Sequence, residues 1–376
     1  MKDLLVTTDT PALRSGQTRR TYGVARALAA SGGLTLLYVR FGAEEPDEAF
    51  RSIPGIELVE VLPSRGLRRL IAYAIARLSG VPAGFARGVS PELAQAAARL
   101  AGMPGRGRVV ADGPTAGAAL ANLARKRPVI YNAHNLESGF RHELSLGPRD
   151  PRRLRAFERR LLDRSSESWM VSPADIVAAR ELCPAARLRY VPNVVDVTAI
   201  PAPTRLASSS VEPRAIFVAS FTYEPNRNGL RFLLEEVFPL VWCELPDARL
   251  SLVGEGLEQP PSTDPRVEVL GFVDDLGEAY GRARCAVVPL LQGGGTPLKF
   301  IEALAHGLPV IATPRAAQGL DVHDGTDCLI ASDGVAFAAA LVRVLRDGAP
   351  EIGRRGRERA AERYSIETLE GLLEPE

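Results

Sequence analysis

The sequence predicts an α/β protein of two doubly wound, Rossmann-like domains, each built on a parallel sheet. Three observations support this class. At 376 residues the chain is too long for one ordinary core. Short apolar strand patterns alternate with helical patterns throughout, as in the βα units that form parallel sheets. A proline- and serine-rich segment, residues 197–213, divides this alternation into two sets.

The predicted strands are short apolar runs, a pattern typical of strands that are buried on both faces. Those of the first half are residues 4–8, 34–39, 56–62, 108–111, 128–132, 168–171 and 188–191. Those of the second half are residues 215–219, 249–253, 267–273, 286–290, 309–312 and 328–330. The clearest helical patterns between them are 21–30, 91–101, 152–164, 229–244 and 335–345, and a last helix covers roughly 353–373.

We therefore expect a first domain at 1–196, a linker at 197–213 and a second domain at 214–355. The C-terminal helix at 356–376 is expected to pack back on the first domain. Formal charge changes sign near the same boundary, since residues 1–195 carry +11 and residues 196–376 carry −10. Either the basic half faces an anionic partner, or the two domains complement each other across a cleft.

Composition narrows the class further. The chain is 46% hydrophobic and 24% charged, as in globular proteins. Its longest apolar runs fall short of the ~20 residues that span a bilayer, and no signal-peptide pattern precedes the first strand. The four cysteines lack metal-ligand spacing, which favours a reduced cytoplasm. We expect no metal, and no nucleic-acid-binding module is recognisable.

A glycine loop after the predicted strand 286–290 is the strongest candidate binding element. Gly293, Gly294 and Gly295 allow close approach of a ligand to the backbone. Thr296 is expected to N-cap a helix that carries Lys299 and Glu302 on one face. Such a loop can hold a phosphate and a sugar diol, although it lacks the Walker A ending. The alternative is a connecting turn with a solvated ion pair.

Several motifs in this order resemble those of glycosyltransferases with the GT-B fold, specifically the retaining GT4-type family. Residues 191–196, Val-Pro-Asn-Val-Val-Asp, are similar to the signature Val-Pro-Asn-Gly-Val-Asp that closes the family's first domain. The other matching segments are 15–22, 131–137, 171–172, 217–220, 225–226, 252–256, 271–274 and 293–302. The resemblance covers nearly the whole chain.

The resemblance implies a nucleoside-diphosphate-sugar donor as co-substrate, with no other cofactor, bound mainly by the second domain. Glu302 matches the second glutamate of the family's E-x7-E region, which holds the ribose hydroxyls. The other implied donor-binding residues are Gly293, Gly294, Gly295, Thr296, Lys299, Gly271, Val273, Ser220, Asn226 and Arg227, with Gly16 and Gln17 across the cleft. The chain departs from the pattern at Gly294, where the family has the first glutamate.

His134 is the candidate catalytic residue, because the family's matching histidine lies near the transferred sugar. The alternative is a structural histidine that satisfies loop backbone. The resemblance implies a retaining transfer without a protein nucleophile. Two rival functions stay open: a non-catalytic partner that binds sugar nucleotide, and a nucleotide-sugar epimerase on the same fold.

Basic residues in the first half bear on the unidentified acceptor. Arg65, Arg68, Arg69 and Arg77 flank an apolar run between residues 67 and 78. This pattern is typical of an amphipathic element on an anionic membrane, and it suits an anionic, glycan or lipid-linked acceptor. A solvated helix face is the alternative.

Overall fold

The structure, a computed structural model, describes residues 1–140, 151–201, 212–273 and 275–374. It divides into two units, the first comprising Met1–Asn193 with Leu369–Glu376 and the second Val194–Thr368. Residues 202–211 of the expected linker lie outside the described residues, so the boundary at 197–213 stays a prediction.

The first unit contains a seven-stranded parallel sheet in the order β3-β2-β1-β4-β5-β6-β7. Its central strands are almost entirely buried because helices cover both faces; all six residues of β2 are buried. The strands are β1 Lys2–Thr7, β2 Leu34–Val39, β3 Ile56–Val61, β4 Arg106–Asp112, β5 Ile130–Asn132, β6 Glu167–Met170 and β7 Leu188–Tyr190.

Nine helices of the described residues connect these strands. They are α1 Gly16–Ala30, α2 Glu48–Arg51, α3 Leu67–Leu78, α4 Ala83–Ala86, α5 Pro91–Ala101, α6 Gly113–Ala119, α7 Glu137–Phe140, α8 Pro151–Arg164 and α9 Pro173–Leu182. A capping box starts α1, since the Thr18 N–H donates to Ser15 Oγ and the Ser15 N–H donates to Thr18 Oγ1, both at 3.1 Å.

The second unit contains a six-stranded parallel sheet in the order β10-β9-β8-β11-β12-β13. Its strands are β8 Arg214–Val218, β9 Arg249–Val253, β10 Val267–Gly271, β11 Cys285–Val288, β12 Val310–Ala312 and β13 Leu329–Ile330. Its helices are α10 Glu224–Phe232, α11 Phe238–Glu244, α12 Leu276–Gly281, α13 Leu298–Ala305, α14 Pro314–Ala317, α15 Gly334–Asp347 and α16 Pro350–Arg363. The last helix, α17 Ile366–Leu373, begins in this unit and ends in the first, which includes Leu369–Glu376. Each predicted strand has an observed counterpart in one of the two sheets, so the predicted fold class is confirmed.

Two helix predictions need correction. The predicted helix 229–244 belongs to a longer helical segment whose middle turn, Leu233–Val237, is a π-helix. Pro239 follows at the start of α11; it has no N–H to donate, and the wider turn absorbs the disruption.

The single C-terminal helix predicted at 353–373, and again at 356–376, is two helices. They are α16 and α17, and the chain leaves helical geometry at Tyr364. Ser365 then starts the second helix, because its side chain accepts a hydrogen bond from the Thr368 N–H at 3.2 Å. At the other end of α17, Arg108 of the first unit donates to the Leu373 carbonyl oxygen.

The close packing of α16 gives a test of the fold. A Cβ atom at Gly353 would lie 2.2 Å from the Gly307 carbonyl oxygen, a backbone atom that cannot rotate away. We expect Gly353→Ala to lower the free energy of unfolding by about 1–3 kcal/mol, the usual cost of overpacking.

Gly281→Ala is the matched control for this variant in the same unit. A Cβ at this helical glycine would meet nothing within 4 Å, so its stability should be unchanged or slightly raised. Urea denaturation of both variants checks the expectation. Equal stability of the two would contradict the observed packing of α16.

Candidate functional site

The loops after β8 and β11 lie side by side at the carboxyl edge of the second sheet. Strand order reverses between these two strands, because the chain continues from β8 to β9 on one side and β11 lies on the other. Open α/β sheets bind ligands in the crevice at such a reversal. Most predicted donor-binding residues fall on these two loops and on the helices that follow them, α10 and α13.

Lys299 connects the two sides of this crevice. Its ammonium group on α13 donates to the side-chain carbonyl oxygen of Asn226 on α10. The Asn226 amide in turn donates to the Ser220 carbonyl oxygen at 2.7 Å. The structure therefore brings together three residues that were predicted separately from the sequence.

The environment of Lys299 disfavours its charge. Burial lowers the pKa of Lys299 to about 7, while the negative charge of Glu302, on the same helix, acts in the opposite direction. The ammonium nitrogen also lies 5.1 Å from the centre of the Phe217 ring. An anion bound beside Lys299 would raise this pKa again, so the lysine is suited to a ligand that brings negative charge.

Arg227 and Ser220 shape the loop after β8. The Arg227 guanidinium donates to the carbonyl oxygens of Phe221, at 3.0 Å, and Thr222, at 2.8 Å. The Ser220 hydroxyl donates to Glu255 at 3.3 Å. Arg227 thus stabilises this loop, and its predicted contact with a diphosphate stays a prediction.

The glycine loop has the backbone geometry that requires glycine. Gly293 and Gly295 have φ angles of 121° and 70°, which residues with a Cβ rarely adopt. Arg315 donates to the Gly293 carbonyl oxygen and so ties the loop to α14. Gly294 lies between these two glycines and is exposed.

The predicted N-cap at Thr296 is wrong by one residue. Helix α13 begins at Leu298, and the N-cap position is Pro297, with φ −74° and ψ 112°. A proline side chain accepts no hydrogen bond, so no side chain caps the first amides of α13. Thr296 is buried one residue earlier.

Gly271 and Val273 lie farther along the same edge, at the end of β10. The Gly271 carbonyl oxygen accepts a hydrogen bond from the Gly254 N–H at 2.7 Å. Between the two predicted residues, the Phe272 side chain is exposed. Asp274, the last residue of the matching motif, lies outside the described residues.

A second polar cluster occupies the carboxyl ends of β4 and β5 in the first unit. Asp112 is buried and accepts three hydrogen bonds, from the Thr21 hydroxyl at 2.6 Å, the Asn132 amide at 2.7 Å and His134 Nε2 at 2.9 Å. Burial alone would raise the pKa of Asp112, but His134 and these hydrogen bonds bring it below its usual range. The ionised carboxylate therefore holds the Nε2–H form of His134, which leaves Nδ1 for another partner.

Arg20 extends this cluster toward β7. Its buried guanidinium donates to the Asn132 side-chain oxygen at 2.7 Å, to the Val191 carbonyl oxygen at 3.0 Å and to Asn193 at 3.1 Å. Burial lowers the pKa of Arg20 to about 10, against the attraction of Asp112. Arg20, Asn132 and Asp112 were not among the site residues predicted from the sequence. Arg20 and Asn132 nevertheless lie in the family-matching segments 15–22 and 131–137, and an apolar strand run ends directly before Asp112.

Gly16 and Gln17 occupy the first turn of α1 and are exposed. The Gln17 carbonyl oxygen accepts a hydrogen bond from the Thr21 hydroxyl at 3.1 Å, which links this turn to the Asp112 cluster. Their contact with a diphosphate stays a prediction.

The residues that the structure describes contain no group of three or more histidine, cysteine, aspartate or glutamate side chains placed to hold a metal ion. Among the described helices, none has the length and apolar character to cross a membrane.

Comparisons with known proteins agree with this architecture. Residues 212–347 match the family described as Glycosyl transferases group 1. A Klebsiella pneumoniae protein described as an uncharacterized 44.6 kDa protein in the cps region is 28% identical over 145 residues, which are 34% of this chain and 36% of that relative. The chain thus aligns with about a third of the length of this curated relative.

Solved structures resemble the chain over nearly its full length. Sucrose-phosphate synthase from Thermosynechococcus elongatus has a TM-score of 0.77 at 20% identity, covering 99% of this chain and 97% of that one. Anabaena HepE in complex with UDP-glucose has 0.69 at 14% identity, covering 99% and 97%. TarM has 0.72 at 11% identity, covering 99% and 98%.

The fold and the family match cover different lengths of this chain. The likenesses to solved structures establish the GT-B fold, and residues 212–347 carry the match to the group 1 glycosyltransferases. The predicted GT-B fold is thereby confirmed, and the predicted likeness to glycosyltransferases is confirmed for residues 212–347.

The lowered pKa of Lys299 predicts a specific pH dependence of stability. The folded protein loses this proton near pH 7, whereas the unfolded chain keeps it up to the ordinary lysine pKa of 10.5. Since the unfolded state binds more protons in this window, Lys299 makes the free energy of unfolding rise from about pH 7 to 10.5. Lys299→Met should lack this rise.

Urea denaturation at about pH 6.5 and pH 9 measures the difference between wild type and variant. Lys126→Met, at an exposed lysine of the first unit, is the control and should follow the wild type. Parallel pH profiles for wild type and Lys299→Met would contradict the lowered pKa of this ammonium group.

Proposed function

We propose that the protein is a retaining glycosyltransferase that transfers a sugar from a nucleoside-diphosphate-sugar to an acceptor. One observation carries the proposal: Lys299 and Asn226 connect the two loops of the switch-point crevice, with Glu302 on the same helix. The comparison structures support the donor class, since HepE is described in complex with UDP-glucose.

The second unit would contact three parts of the donor: the ribose, the diphosphate and the base. Glu302 would accept hydrogen bonds from the ribose hydroxyls, which are strong because its oxygens are charged. Lys299 and the uncapped amides of α13 would bind the diphosphate. Gly271 and Val273 would lie near the base, at the end of β10.

Gly294 would let backbone groups contact the donor sugar where the family has a glutamate. This position is exposed and lies between two glycines with positive φ, so the local backbone can approach a ligand closely. The main requirement of the transfer reaction is that the negative charge of the departing diphosphate is stabilised. Fixed cations and helix amides supply that stabilisation without reorganisation.

In a retaining transfer without a protein nucleophile, the acceptor attacks the sugar on the same face that the diphosphate leaves. A diphosphate oxygen then takes the acceptor proton. His134 would hydrogen-bond the transferred sugar or the acceptor through Nδ1, because Asp112 occupies Nε2. Asp112 would act as a positioning residue for this histidine.

The acceptor we propose is anionic or lipid-linked, and we place the enzyme in the cytoplasm with peripheral contact to an anionic membrane. The formal charge of +11 on residues 1–195 supports this choice, because a basic surface attracts an anionic partner.

Gly294 also favours a second candidate, a non-catalytic partner that binds sugar nucleotide. The two functions differ in one observable quantity. A transferase releases free nucleotide when an acceptor is added, whereas a binding partner leaves the sugar nucleotide intact.

The assigned donor site predicts selective loss of nucleotide affinity. We expect Glu302→Ala and Lys299→Ala each to weaken binding of the best ligand among UDP, GDP and dTDP by about 10- to 100-fold, since each removes a charge-assisted contact. Isothermal titration calorimetry measures the affinity, and circular dichroism checks that the variants are folded.

Glu258→Ala is the control for these variants, because Glu258 is exposed in the same unit and should not affect affinity. Unchanged affinity in both Glu302→Ala and Lys299→Ala would exclude the proposed donor site.

The Asp112–His134 pair predicts a loss of rate without a loss of donor affinity. Asp112→Asn removes the acceptor that holds the Nε2–H form of His134, so the ring can adopt the other tautomer. We expect the turnover rate to fall by about 10²-fold or more while the affinity for nucleotide stays the same.

Asp163→Asn, at an exposed position on α8, is the matched control and should keep full activity. An equal loss of nucleotide affinity in Asp112→Asn would instead point to a general structural role for Asp112.

A further inference from the structure

Helix α3 exposes an apolar stripe that its own unit does not use. Leu67, Leu70, Ile71, Ile75 and Leu78 follow one another at the spacing of a single helix face, and between 50% and 88% of each residue is exposed. Scattered exposed apolar residues are common, but a contiguous stripe of five is typical of an interaction surface.

The opposite face of α3 rests on the unit through small residues. Ala72 and Ala76 are the buried residues of this helix. They line, with Ile75, a cavity of about 610 Å³ that also touches Val81 and Phe157. Ile75 borders this cavity while 58% of it stays exposed. The other large side chains of the stripe lie outside the core, so most of α3's apolar surface is available to a partner.

Positive charge surrounds the stripe. No acidic residue occurs between Glu60 and Glu92, while this stretch contains Arg65, Arg68, Arg69, Arg77 and Arg87. Two of these arginines are held locally: the Arg69 guanidinium lies 4.7 Å from the centre of the Phe41 ring, and Arg77 donates to the Val81 carbonyl oxygen at 2.8 Å. Arg65 and Arg68 are exposed beside the start of the stripe.

We propose that α3 is a membrane-docking helix that lies in the plane of an anionic bilayer surface. The leucine and isoleucine side chains enter the acyl boundary, and the arginines contact lipid phosphates. A second copy of the chain fits this surface less well, because a two-fold interface would place the same arginines opposite one another. The charge pattern therefore selects an anionic lipid surface.

This proposal rests on the proposed function and adds to it the surface on which the first unit would meet a lipid-linked acceptor. Vesicle binding does not depend on transferase activity, so failure of one proposal can be distinguished from failure of the other.

Sedimentation of the full chain with phospholipid vesicles tests the proposal. We expect binding to phosphatidylcholine vesicles that contain about one-third phosphatidylglycerol, and at least tenfold weaker binding to pure phosphatidylcholine. The triple variant Leu67→Gln, Leu70→Gln, Leu78→Gln should lose binding. Arg68→Gln should weaken it about fivefold, which corresponds to ~1 kcal/mol for one arginine at an anionic surface.

Two matched controls lie on α9 of the same unit. Val177→Gln replaces a residue that is 60% exposed, and Arg180→Gln replaces an exposed arginine. Both should bind vesicles as the wild type does. Circular dichroism and nucleotide affinity verify that every variant is folded.

Two results would overturn the proposal. One is equal sedimentation of the wild type and the triple variant. The other is a wild type that binds no vesicles but forms dimers that the triple substitution dissociates, because the stripe would then be an interface between copies of the chain.

Discussion

Parallel strand pairing is the constraint on which the candidate sites depend. Within each sheet every strand runs parallel to its neighbours, so all loops that follow strands emerge at one edge of that sheet. The order reverses beside β1 in the first sheet and beside β8 in the second, and helices on opposite faces leave a crevice at each reversal. Residues far apart in the sequence, such as Asn226 and Lys299, meet there because of this topology.

Buried charged groups have different hydrogen-bond partners in the two units. In the first unit, Arg20, Asn132, Asp112 and His134 form one hydrogen-bonded chain, so its charged groups compensate one another. In the second unit, Lys299 has a neutral amide as its hydrogen-bond acceptor, and its pKa falls to about 7. A prearranged network suits positioning, whereas a cation with a lowered pKa suits the binding of an anionic ligand.

Much of this arrangement could be predicted from the sequence, because short apolar runs mark buried strands and glycines mark the loops after them. The glycine loop and Lys299 followed from such local signals. The Arg20 network did not, since its members are up to 173 residues apart and only the folded sheet brings them together. Local rules also misplaced the start of α13, where Pro297 supplies no side-chain cap. They missed the end of α16, where the Ser365 side chain accepts a hydrogen bond that starts the next helix.

Amide hydrogen exchange with and without bound nucleoside diphosphate tests the central claim most directly. We expect UDP, GDP or dTDP, whichever binds best, to slow exchange in residues 219–228 and 290–302, the two sides of the switch-point crevice. Exchange in α15, which covers Gly334–Asp347, should be unaffected. Slower exchange confined to other segments, with no change in either loop, would contradict the proposed donor site.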